Sequence, residues 1–78
     1  MKKTAEIKKV LKKNGLTEWK KGKSARIKGM SIGYGDFWTT YDEYDNVNII
    51  SIKASKLEKL NKIIATELTG INIRIREM

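Results

Sequence analysis

Apolar positions recur along this chain with two different spacings, and the change from one to the other marks out its elements. Spacing of three and four predicts two helices. Over residues 4–13, Ile7, Val10 and Leu11 make a narrow stripe. Thr4 is placed as N-cap, Glu6 suits the positive helix end, Lys12 and Lys13 suit the negative end, and Asn14-Gly15 reads as a stop. Over 55–68, Leu57, Leu60, Ile64 and Leu68 follow one face and Ile63 widens it, while Lys56, Lys59 and Lys62 fall toward water. Ser55 and Glu58 have capping-box spacing, Glu58 and Lys62 are four apart in the favourable order, and Gly70 fits a left-handed stop.

Alternation predicts strands. Ile71, Ile73 and Ile75 alternate with Asn72, Arg74 and Arg76, giving one apolar and one basic face. Residues 24–33 read as another strand, with Ala25 and Ile27 on one face and Arg26 and Lys28 on the other. Gly29 breaks the phase, so a bulge is expected there. Residues 33–36 are turn material. Phe37, Thr39 and Tyr41 share one face of a strand over 37–41, and Trp38 and Thr40 share the other. After a turn at 42–46, a strand over 47–53 carries adjacent Ile49 and Ile50, which suits a central strand or a bulge. The stretch 16–23 reads as a short strand or an irregular segment: Trp19 is expected to tuck against the sheet or the first helix, and Lys20, Lys21 and Lys23 around Gly22 to form an exposed basic loop.

The expected architecture is therefore a single α+β domain over 1–78 in the order α-β-β-β-α-β. Its antiparallel sheet has three to four strands, with two helices on one face. The other face is then open. Arg26, Lys28, Arg74 and Arg76 belong on it if the apolar residues of their strands face the helices.

Composition narrows the function. The chain has 78 residues and neither Cys nor His. A core this small must fold on packing alone. Thiol chemistry, imidazole acid–base chemistry and Cys/His zinc sites are excluded, and the lack of Cys suits the cytoplasm. Lysines and Glu6 interrupt the start, so no secretory signal is read there, and no run has the length of a membrane span. Serines without a histidine base give no catalytic constellation, so no enzyme and no cofactor is expected. Asp42, Glu43 and Asp45, with Asp36 nearby, can in principle hold a hard cation. Their spacing is not that of an EF-hand, and an acidic turn is the simpler reading, so no metal is expected.

The net charge is +8, and it is unevenly placed. Residues 1–28 carry a net +9, residues 29–52 a net −4 and residues 53–78 a net +3. Such asymmetry points to a polyanionic partner. The expected nucleic-acid contacts are Lys8, Lys9, Lys12, Lys13, Lys20, Lys21, Lys23, Arg26, Lys28, Arg74 and Arg76. Phosphates need cations and unstacked bases need flat rings, for which Trp38, Tyr34 and Tyr44 are candidates.

The element order through Leu68 resembles that of double-stranded RNA-binding domains. Lys53, Lys56 and Lys59 echo the lysine-rich turn that opens their second helix, whereas Leu60, Ile63 and Ile64 stand where that family has small residues, and a further strand follows. The lysine-rich first helix ahead of a basic strand also resembles small α+β proteins of phages and mobile elements. The first expectation is a non-enzymatic nucleic-acid-associated domain acting through a basic helix and a basic sheet face. The alternative is a small protein-binding module, such as a mobile-element inhibitor or adaptor, using Tyr34, Trp38, Tyr41 and Tyr44. Five of the six aromatic residues fall within 34–44, and aromatics are enriched in interface hot spots.

Overall fold

The computed structural model describes residues 1–27 and 30–78, and for 21–27 and 30–33 it describes the backbone path but not the side chains. The fold is α+β: α1 (Thr4–Lys13), β1 (Lys20–Ile27), β2 (Met30–Tyr34), β3 (Phe37–Asp42), β4 (Val47–Ile52), a 3₁₀ turn (Ala54–Lys56), α2 (Leu57–Glu67) and β5 (Ile73–Glu77).

The predicted stripes bury as their spacing requires. Ile7 and Leu11 of α1, and Leu60 and Ile63 of α2, join Leu16, Phe37, Ile50, Ile52 and Leu68 in one core. Val10, Leu57, Ile64, Ile71, Ile73 and Ile75 pack around it. Both helices therefore cover the sheet face that carries Phe37, Ile50 and Ile52. Asn14-Gly15 does stop α1. Gly15 N–H donates to Lys12 C=O (3.0 Å) and Leu16 N–H to Leu11 C=O (3.1 Å), the paired bonds of a Schellman motif, with buried Leu16 against buried Leu11. Gly70 also adopts the expected positive φ, +83°.

The sheet departs from the expected one. It is three-stranded and mixed, in the order β3-β4-β5. β3 and β4 form an antiparallel hairpin with Phe37 opposite Ile52 and Asp42 opposite Val47. β5 lies parallel to β4, with Asn48 beside Ile73 and Ile52 beside Glu77. The parallel direction follows from the helix between the two strands: α2 carries the chain back along the sheet, so the next strand starts at the same end as β4. β4 is thus central, which explains why it carries apolar residues on both faces.

β1 and β2 do not join this sheet. They pair antiparallel with each other, Lys20 opposite Tyr34 and Ile27 opposite Met30. The bulge expected at Gly29 falls between Ile27, the end of β1, and Met30, the start of β2. Lys28 and Gly29 themselves lie outside the described residues. The basic loop expected at Lys20-Lys21-Gly22-Lys23 is instead the start of β1.

Two predicted caps are absent. Thr4 is the first helical residue, after Lys3, and no side chain caps α1. The Ser55–Glu58 capping box does not form either. The chain enters α2 through the 3₁₀ turn, where Lys56 N–H donates to Lys53 C=O (2.9 Å) and Leu57 N–H to Ala54 C=O, so Ser55 lies inside the turn and not at the helix N-cap.

A buried polar residue ties the fold together. Asn48, 1% exposed on the core side of β4, accepts from Lys3 N–H (2.8 Å) and donates to the carbonyls of Met1 (3.1 Å) and Asn72 (3.3 Å). One side chain thereby joins the N-terminus, the central strand and the approach to β5.

Candidate nucleic-acid interface

The site is the sheet face that the helices leave uncovered. Side chains alternate along a strand. Because Phe37, Ile50, Ile52, Ile73 and Ile75 point into the core, Trp38, Thr40, Ile49, Ser51, Arg74 and Arg76 point the other way. Register sets them in two rows across the sheet: Trp38–Ser51–Arg76, and Thr40–Ile49–Arg74.

The first row is extended by Trp19. Glu18 bridges Phe37 in parallel, and Trp19 N–H donates to Phe37 C=O (2.6 Å), so residues 18 and 19 run beside β3. Glu18 then falls on the helix side, where its carboxylate meets Lys8 (3.2 Å) and Lys12 (3.0 Å). Trp19 falls on the open side, against Trp38. Their ring centroids are 5.4 Å apart with planes at 72°, an edge-to-face pair. Trp19 is 36% exposed and Trp38 38%, so Trp19 lies against the sheet, one of its two expected placements, but on the face away from the helices.

Gly35 makes this arrangement possible. With φ at +139°, a Cβ there would lie 2.6 Å from the Trp19 nitrogen and 2.9 Å from the Glu18 carbonyl carbon. Asp36 locks the same junction. Its carboxylate accepts from the Thr17 N–H (2.9 Å) and hydroxyl (2.8 Å), and its own N–H donates to Thr17 C=O (2.8 Å). The Thr17 N–H above all holds the Asp36 carboxyl below its usual range, with help from the Thr17 hydroxyl and from Lys56 and Lys53 and against desolvation.

Charge is graded along the face. Asp42 and Asp45 stand at the β3–β4 turn. There Asp42 accepts from the Tyr44 (3.0 Å) and Asp45 (3.3 Å) backbone N–H groups, and Asp45 pairs with Arg74 (3.5 Å). Arg76 sits beside Ser51, one turn of alternation farther from the acidic end, and is exposed with no ion pair among the described residues. Asp36 lies at the opposite end of β3 from Asp42, so these acids do not cluster; no group of three metal-ligating side chains converges among the described residues.

The other predicted contacts are dispersed. The lysines of α1 belong to a helix packed on the opposite side of the sheet from Arg74 and Arg76. Lys8 and Lys12 share Glu18, and Lys13 pairs with Glu67. Lys12 first, then Lys8, lowers the Glu18 pKa through hydrogen bonds, and Lys13 with Asn14 lowers that of Glu67. Lys9 and Lys20 are exposed, and Lys12 and Lys20 line an open groove of about 500 Å³ with Thr17, Glu18 and Tyr34. Arg26 belongs to β1, which is in a different sheet from Arg74 and Arg76. The side chains of Lys21, Lys23 and Arg26, and all of Lys28, lie outside the described residues. The four aromatics of the alternative surface are also apart. Trp38 is on the open face, Tyr41 is on the helix side with its hydroxyl donating to Asn46, Tyr44 is fully exposed in the turn, and Tyr34 ends β2.

No family model, no curated protein and no solved structure matches the chain. Among the described residues no helix is long and apolar enough to cross a membrane. Sequence reasoning passed over Trp19, Ile49 and Ser51 on this face. Ile49 was legible from the adjacent isoleucines, but Trp19 was not, since only the bridge to Phe37 aims it outward.

Proposed function

We propose that the protein is a non-enzymatic nucleic-acid-binding domain whose interface is the open face of the three-stranded sheet. The observation that carries this reading is the juxtaposition of Arg74 and Arg76 with the Trp19–Trp38 pair on one uncovered surface of a chain with net charge +8. Guanidinium groups hydrogen-bond phosphate oxygens in a fixed fork, and exposed indoles offer flat apolar area beside them. Arg74 and Arg76 are two residues apart, about 6.6 Å along the strand, so both can engage one backbone. The helix lysines add a long-range attraction rather than a shared contact surface, because α1 occupies the other side of the sheet. Phosphate contacts of this kind are weakly sequence-specific and strongly salt-dependent.

Fluorescence anisotropy against labelled single- and double-stranded DNA and RNA, at low and near-physiological salt, tests the proposal. Binding that persists at near-physiological salt, and that weakens on Arg74→Glu/Arg76→Glu substitution, supports it. Binding confined to low salt and unaffected by those substitutions sinks it, and a protein partner then becomes the leading reading.

A further inference from the structure

Resting on that reading, we infer that the open face selects single strands over duplexes, stacking an unpaired base on the Trp19–Trp38 pair while Arg76 takes its phosphate. The chain has two tryptophans, and both are here, each more than one-third exposed. Indoles carry the largest apolar area of any side chain and are mostly buried in folded proteins. The edge-to-face contact holds the Trp38 ring in one orientation before any ligand arrives, so little ordering cost remains at binding.

The surroundings direct what can lie on that ring. Ser51, buried and small, separates Trp38 from Arg76, so the indole and the guanidinium flank it on the same face. Two strand spacings, about 9.6 Å, separate their backbones. A nucleotide laid across β4 with its base over Trp38 and its phosphate toward Arg76 fits that span. The carboxylates of Asp42 and Asp45 at the far end repel phosphate from the Arg74 side, and Arg74 is already paired with Asp45. Arg76 is therefore the stronger phosphate contact of the two. A duplex keeps its bases stacked on each other and presents no ring face to a sheet, whereas single strands offer both bases and backbone.

Intrinsic tryptophan emission reports on this site alone, since both fluorophores stand in it. The test titrates the unaltered protein with a single-stranded pyrimidine oligonucleotide and with the matching duplex at near-physiological salt, following anisotropy and tryptophan emission together. The expected result is quenching by the single strand and a preference for it of about tenfold or more. Arg76→Ala is expected to weaken single-strand binding several-fold more than Arg74→Ala, and both positions are exposed, so neither change threatens folding. Equal affinity for both forms without quenching overturns the stacking inference and leaves the phosphate-binding proposal standing. Equal losses for the two arginine variants overturn the assignment of Arg76. Absence of binding to either form overturns both readings.

Discussion

Asn48→Ala is the most informative single change to the fold. The substitution removes the hydrogen bonds from Lys3 N–H and to the carbonyls of Met1 and Asn72, while the Asn48 backbone N–H keeps its own bond to Asn72 C=O (3.0 Å). At 1% exposure the amide makes these bonds out of contact with water. Each lost bond costs about 0.5–1.5 kcal/mol net, and the orphaned Lys3 N–H adds to this, so the total is about 2–4 kcal/mol. A domain this small shifts its midpoint by roughly 4–8 °C per kcal/mol, which predicts a fall of at least about 8 °C in Tm. Thermal and urea unfolding followed by circular dichroism measure it, the urea midpoint falling with an unchanged slope. Asn48→Asp supplies a control with a sign. It keeps the acceptor for Lys3 N–H but sets a carboxylate against two carbonyl oxygens, so its folded pKa is raised. Stability of that variant then falls as pH rises above about 4, where the unfolded carboxyl ionises first. A Tm within about 3 °C of the parent for Asn48→Ala would refute the claim that this amide ties the N-terminus to the sheet.

Gly35→Ala is expected to cost more than about 2 kcal/mol, because the Cβ meets the Trp19 backbone at a positive φ; a blue-to-red change in tryptophan emission would show residues 18 and 19 leaving the sheet, and an unchanged spectrum and Tm would count against it. The Asp36 pKa is lowered in the folded state, so its contribution is complete above the unfolded pKa and is lost as pH falls through about 4 and below; Asp36→Asn should flatten that acid limb of a Tm-versus-pH curve, and an unaltered limb would show that the carboxyl does not hold Thr17. Ser55→Ala should change stability by less than about 0.5 kcal/mol in urea unfolding, against the loss of about 1 kcal/mol that a working capping box predicts.

The two helices, the stop at Asn14-Gly15, the faces of β3 and β5 and the charge asymmetry were all legible in the sequence. Each depends on periodicity or on local backbone preference, which neighbours in the chain settle among themselves. Strand partners are different. The pattern of β5 says that its isoleucines must be buried, but any neighbour that buries them satisfies it. Only the return path through α2 makes that neighbour β4 and the direction parallel. Ser55 and Glu58 have the right spacing for a cap, yet the chain places Ser55 inside a 3₁₀ turn and starts the helix after it. The candidate site divides the same way. Arg74 and Arg76 were named from alternation alone. Trp19 joins them through the bridge between Glu18 and Phe37, nineteen places apart in the chain, permitted by the missing side chain of Gly35, and Asn48 became a tie because tertiary packing buried an amide beside three loose backbone groups. Long-range contacts of this sort are set by which surfaces meet after collapse, and the local pattern holds no record of them.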